Sequence, residues 1–277
     1  MKAQRKLKKS PTGVELVRLL ATEGNRVFSI DRARELSPRV GLKESYLCEA
    51  LYHLGRNGWI VSVRRGLYAL AATVPGVTSA HEFEIAMALV NPAAISHWSA
   101  LHHHGLTEQV PRKVFVLTTT ETAVPRPKSA KGKREGYSVG GAVYQFIQVK
   151  PQRFFGTEKV WVNEARVAMT DPERTLLDGL SMPKYCGDFA EVLHAFAVRG
   201  DDLDLERIID YARKLDAATA KRLGWVLEKQ GVAPERLKPL AEVPVKGYRT
   251  LDPTGPRRGP CNRRWMIQEN PPGKVKA

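Results

Sequence analysis

The clearest pattern of apolar and polar positions runs from Lys43 to Leu70. Leu47, Ala50, Leu51 and Leu54 recur at i, i+3, i+4 and i+7, which sets them on one face of a helix. Asn57-Gly58 ends that helix, because glycine accepts the left-handed backbone a helix C-terminus needs. Trp59, Ile60, Val61 and Val63 then predict a strand, Arg65-Gly66 a tight turn, and Leu67, Tyr68 and Leu70 the return. Upstream, Val14, Val17, Leu19, Leu20 and Ala21 predict an amphipathic first helix behind Ser10-Pro11-Thr12. Val27-Phe28-Ser29-Ile30 predicts a short strand and Ile30 to Leu36 a second helix, broken by Pro38 and Gly41. Helix, strand, helix, helix, strand, strand is the order of a winged helix-turn-helix.

The pattern changes after Ala71–Val77, which reads as a link. His81 to Val90 predicts an apolar-rich helix and Ala100 to His104 a short one. Strands are predicted at Val114–Leu117, Val143–Val149 and Val160–Val162, with Arg166–Met169 a third strand of that group or part of a turn. Thr170-Asp171-Pro172-Glu173 is a strong helix start, since a capping oxygen, proline in the first turn and an early acid all suit orphan N–H groups. Phe189–Val198, Leu205–Leu215 and Ala217–Lys229 continue as helices, Pro234–Leu240 adds a turn, and an arginine-rich tail follows from Gly247. The expected fold class is α+β, with a winged helix-turn-helix over residues 1–72 and a larger mixed α/β domain, a small sheet plus a helical layer, over 73–277.

Charge sharpens this picture. The 277 residues carry 44 Lys+Arg against 29 Asp+Glu, a formal net charge of +15, which suits a polyanionic partner. Residues 1–72 alone hold fourteen basic and six acidic residues, over half the surplus. With 43% hydrophobic residues the chain can bury a real core. The three cysteines, Cys48, Cys186 and Cys261, are far apart with no CxxC spacing, so neither a disulfide frame nor a zinc finger is expected. Cys48, beside Leu47, is expected to pack. Reduced thiols, a basic N-terminus with no apolar region behind it, and no run of about 18 apolar residues lead to an expected cytoplasmic location, without membrane contact.

A helix followed at once by a hairpin with arginines at its tip can place the helix in a major groove and the tip against phosphates or the minor groove. The helix positions off the leucine face are Lys43, Ser45, Tyr46, Glu49 and Arg56, and the tip carries Arg64 and Arg65. Glu49 can accept from a cytosine amino group, or pair with Arg56 or Lys43. The arm Met1–Ser10, with Lys6, Lys8 and Lys9, is either a solvated tail or a track along phosphates. In the second domain, Arg126, Lys128, Lys131, Lys133 and Arg134 lie in a segment, Thr119 to Gly141, expected to be an exposed loop or a long hairpin tip, and Arg257, Arg258, Arg263 and Arg264 in the tail. These are candidate nucleic-acid contacts on charge alone.

Several stretches together resemble the AbiEi family, the antitoxin component of type IV (AbiE) toxin–antitoxin systems. They are RRGLYAL from Arg64, ISHWSALHHHGL from Ile95, PRKVFVLTT from Pro111, MTDPERTLLDGL from Met169, PKYCGDFAEVLHAF from Pro183 and NRRWMIQEN from Asn262. The resemblance spans nearly the whole chain; the wing is shared with many regulators, whereas the blocks from Ile95 and Thr170 are more specific. It implies a bacterial repressor that binds inverted repeats in duplex DNA upstream of its own operon. It also implies a second domain that counters a nucleotidyltransferase toxin without a stable complex.

The chemistry-like features point elsewhere. His102, His103 and His104 diverge by about 100° each along a helix, so they cannot converge on one metal with His97. Ser96-His97 and Ser99 lack a GxSxG elbow, and no GxxxxGK[ST] loop occurs. No acid has a lysine two residues on, and Asp171 and Glu173 are explained by the helix start, which argues against a two-metal nuclease with Asp178. The expectation is a non-enzymatic protein without metal or cofactor. The alternative to an antitoxin is an ordinary winged-helix regulator whose second domain senses a ligand or mediates assembly.

Overall fold

The computed structural model describes residues 12–72, 78–125 and 136–270 and divides the chain into two compact units. The first opens with α1 (Thr12–Thr22), β1 (Val27–Ser29), α2 (Ile30–Leu36), α3 (Leu47–Arg56), β2 (Ile60–Arg64) and β3 (Leu67–Leu70). The strands form one antiparallel sheet in the order β1-β3-β2, with Phe28 opposite Tyr68 and Ile60 opposite Leu70. This is the winged-helix arrangement. Ser29 caps α2 by accepting from the Arg32 amide, one of the orphan donors of a helix start. Leu16 and Leu20 of α1, Leu36 of α2, and Leu47, Leu51 and Leu54 of α3 close on Phe28, Ile60 and Leu70 as a single core. Burying such side chains contributes about 1.5–3 kcal/mol each before entropy is set against it.

This unit holds more than the winged helix. It includes α4 (Glu82–Leu89), which packs on β1 and β2, and takes in residues 124–125, 136–143 and 162–165. The side of the sheet that carries Val63 and Ala69 is therefore buried as well. Alternation along the strands accounts for it: Ile60 and Leu70 face the helices, while Val63 and Ala69 face the other way and need their own cover.

The second unit is built on a mixed sheet. Its strands begin with β4 (Ala94–Ile95); α5 (His97–His103) and β5 (Val114–Thr119) follow. The chain continues through β7 (Ala142–Val149), β8 (Thr157–Val162) and β9 (Ala165–Thr170), whereas β6 (Tyr137–Val139) falls in the first unit. β5 lies between β7, parallel to it, and β4, antiparallel, and all six of its residues are buried. The helical layer is α6 (Pro172–Ser181), α7 (Phe189–Arg199), α8 (Leu205–Leu215), α9 (Ala217–Lys229) and the short α10 (Lys238–Ala241). Asp171, Asp188, Asp204 and Asp216 cap the first four of these, each accepting from the amide three residues on. α6 is the hub: it packs on α5, α7, α8 and α9, and Glu173 to Leu180 are all buried.

The arginine-rich stretch after Gly247 is not a loose tail up to Asn270. It forms a three-stranded sheet, β10 (Arg249–Thr250), β11 (Cys261–Asn262) and β12 (Ile267–Gln268), in the order β10-β12-β11. Trp265 is fully buried and joins Leu223, Leu227 and Ile267 in the core of the helical layer.

Candidate nucleic-acid interface

The outward face of α3 follows from its inward one. With Leu47, Leu51 and Leu54 buried, a helix turn of 100° per residue leaves Cys48, Glu49, Tyr52, His53 and Arg56 in solvent. Cys48 is therefore exposed, against the expectation that it packs: it stands one residue past Leu47 and so falls off the leucine face. Lys43, Ser45 and Tyr46 are exposed as well, but they precede the helix. Lys43 has extended backbone, and Glu44–Tyr46 form a 3-10 turn that leads into α3. The Arg56 guanidinium lies 5.9 Å from the centre of the Tyr52 ring. Glu49 pairs with neither Arg56 nor Lys43; its carboxylate sits 3.7 Å from His53 Nε2.

The wing is held at its root and open at its tip. Gly66 takes φ +74°, where a side chain would be strained, and its carbonyl accepts from the Ile30 amide at 2.8 Å. The Tyr137 hydroxyl donates to the Val63 carbonyl, and partial burial raises the Tyr137 pKa. The register between β2 and β3 shifts between Ser62 and Arg64, a bulge of the kind that redirects a strand end. Arg64 and Arg65 follow it and are exposed.

Ion pairing separates the basic residues of residues 12–72 into two groups. Arg18 pairs with Glu15, Arg26 with Glu84 and Glu164, Arg32 with Glu23 and Glu35, Arg34 with Asp31 and Glu44, and Arg39 with Glu23. Lys43, Arg56, Arg64 and Arg65 have no carboxylate within ion-pair distance among the described residues. The cations left without a counter-charge are those on α3, on the turn that leads into it and at the β2–β3 tip. Lys6, Lys8 and Lys9 lie outside the described residues.

Arg126, Lys128, Lys131, Lys133 and Arg134, assigned by the sequence to the second domain, also lie outside the described residues. Arg257, Arg258 and Arg263 are exposed. Arg264 differs: it bonds to Glu228 at 2.6 Å and lies over the Trp265 ring at 5.1 Å, so it anchors the small sheet rather than offering a free charge. Lys246 and Tyr248, just before β10, and Arg249 on it are exposed as well.

The histidines and acids of the second unit make the following contacts. His97 is fully buried against Tyr185, His104 Nε2 lies 2.8 Å from the Thr170 carbonyl, and His102 and His103 are exposed. Asp171 caps α6 and accepts from the Tyr211 hydroxyl at 3.0 Å; burial raises the Asp171 pKa and pushes that of Tyr211 up to about 12. Glu173 meets Arg199 and Arg207, and Asp178 meets Arg174. Among the described residues no group of His, Cys, Asp and Glu has the geometry to hold a metal ion, and no helix is long and apolar enough to cross a membrane.

No family model and no curated protein matches the sequence. Among solved structures, the Rv2827c protein from Mycobacterium tuberculosis is similar in fold, with a TM-score of 0.67 at 14% identity. The likeness covers 94% of this chain and 92% of that one. It therefore extends through both units rather than the winged helix alone.

Proposed function

We propose that the protein is a DNA-binding repressor that reads inverted repeats upstream of its own gene, and that it acts as the antitoxin of a type IV toxin–antitoxin pair. The observation that carries the DNA-binding half is the sorting of charge on the winged helix. Within residues 12–72, Arg18, Arg26, Arg32, Arg34 and Arg39 each pair with a carboxylate, while Lys43, Arg56, Arg64 and Arg65 are left for phosphates. Ser45, Tyr46 and Glu49 stand where side chains reach base edges when such a helix enters a major groove. The antitoxin half rests on the resemblance to the AbiEi family, whose blocks include the PERTLLDGL run that forms the hub helix α6. On this reading the counterpart is a nucleotidyltransferase toxin, the site of action is the cytoplasm, and the protein needs no catalytic residue, metal or cofactor.

Two experiments test the two halves. A gel shift with duplex DNA from upstream of the gene, run beside a shuffled duplex, gives a specific complex that weakens steeply with salt. Equal binding to both duplexes contradicts operator recognition. The reading requires a nucleotidyltransferase gene in the same operon whose toxicity co-expression of this protein relieves; the lack of such a gene, or continued toxicity with the protein present, contradicts the antitoxin role.

A further inference from the structure

The charges of the small C-terminal sheet are sorted as on the winged helix. Between Lys246 and Asn270 there are six basic residues, Lys246, Arg249, Arg257, Arg258, Arg263 and Arg264, and two acidic ones, Asp252 and Glu269. Both acids turn inward. Asp252 is buried and accepts from the amide and hydroxyl of Thr254; Glu269 accepts from Trp225 Nε1 at 2.8 Å and from the Asn262 amide. Arg264 is taken by Glu228. The other five cations are exposed, with no carboxylate within ion-pair distance among the described residues.

The backbone that carries them is pinned. The buried Asn270 side chain donates to the carbonyls of Asp252 and Pro256, and the Arg258 amide also donates to Pro256. The Glu269 amide donates to the Pro260 carbonyl at 2.8 Å, and Pro256 and Pro260 bracket the Arg257-Arg258-Gly259 tip. Arg249 and Asn262 pair with Ile267 from opposite sides, so Arg249 stands about 10 Å, two strand spacings, from the strand that leads into Arg263. Tyr248, beside Arg249, is 43% exposed.

We infer that this sheet is a second nucleic-acid site, distinct from the winged helix, and that it takes RNA with an unpaired segment. Arginine rather than lysine dominates, and its planar fork suits phosphate oxygens and stacking on bases. An exposed tyrosine among arginines is the platform on which a splayed base stacks. No helix is offered here to a major groove; the cations sit on two-residue strands and turns, which favours a single strand over a duplex. The site owes nothing to operator reading and stands or falls without it.

The test uses the full-length protein and a labelled single-stranded RNA of about 16 nucleotides and mixed sequence, read by fluorescence anisotropy. The Arg257→Ala/Arg258→Ala/Arg263→Ala variant binds it about tenfold or more weakly, and the slope of log K against log salt falls by about 2. Its binding to the upstream duplex is unchanged. Tyr248→Ala weakens RNA binding and leaves the salt slope as it was, the mark of lost stacking rather than lost charge. Far-ultraviolet circular dichroism melts confirm that both variants fold. RNA binding by the triple variant equal to the parent's, no RNA binding by the parent at low salt, or a parallel loss of RNA and duplex binding in the variant overturns the assignment.

Discussion

Trp265 lies directly on Gly224. A methyl group added at Gly224 would overlap the six-membered ring of the indole, and the glycine lies within the buried face of α9. The pair fixes the C-terminal sheet to the helical layer, with the indole N–H donating to Glu228 at 2.7 Å. Gly224→Ala should therefore destabilise the protein by about 1–3 kcal/mol, the usual cost of overpacking, although alanine is the better helix former. Urea denaturation followed by tryptophan fluorescence measures it. An unchanged midpoint would mean that the indole moves aside freely.

Arg174 carries a second prediction. Its side chain is 1% exposed, bonds to Asp178 at 2.9 Å and to the carbonyls of Arg153 and Phe155, and lies over the Phe155 ring. Arg174→Met leaves Asp178 as an uncompensated buried charge and should cost about 3–5 kcal/mol. Arg174→Met/Asp178→Leu should recover a large part of that loss, because it removes both charges together. A double-mutant cycle in urea checks this; a double variant no more stable than Arg174→Met would show that the carbonyl contacts, not the ion pair, dominate.

His97 predicts a pH dependence. It is fully buried at φ +51°, its Nδ1 lies 2.9 Å from Ser96 Oγ, and burial lowers its pKa from 6.5 to about 4, with Asp178 opposing and Arg174 reinforcing the shift. A depressed histidine pKa means that the unfolded chain binds the proton first. Stability is then fully present above pH 6.5 and falls as the pH drops towards 4, by about 2 kcal/mol at pH 5 and about 3 kcal/mol in all. His97→Asn, which tolerates the left-handed backbone, should flatten that slope. Melting temperatures at pH 7.5 and pH 5 decide it; an equal drop in the variant would assign the effect to another group.

The wing gives a prediction on binding. Arg64→Ala/Arg65→Ala removes two phosphate contacts and should reduce the salt slope on duplex DNA by about 2, from about −5 for six such contacts. Arg32→Ala, which removes an arginine already paired with Glu23 and Glu35, should leave the slope unchanged. Titrations at several salt concentrations separate the two. Equal effects from both variants would dissolve the distinction between paired and free cations.

Much of this was legible in the residues. Leu205–Leu215 and Ala217–Lys229 are helices with the bounds their periodicity indicates, each opened by an aspartate cap. The winged helix was readable from its element order and its Asn57-Gly58 and Arg65-Gly66 punctuation. What pattern alone could not show depends on distant partners. Glu173 looks like a surface acid at a helix start, yet it is buried because Arg199 and Arg207 meet it from elsewhere in the chain. The C-terminal strands have two residues each, too short for any period, and only the lone Trp265 among arginines marked a folded segment. Which arginines are free was likewise hidden, since Arg26 finds its carboxylates at Glu84 and Glu164.

A nuclease footprint of the purified protein on the DNA just upstream of its own gene, beside Arg64→Ala/Arg65→Ala, tests the central claim most directly. The account predicts protection of paired half-sites by the parent protein, weakened or lost in the variant. Uniform coating of the DNA, or paired protection that the variant retains in full, would contradict an operator-reading winged helix with Arg64 and Arg65 at its wing.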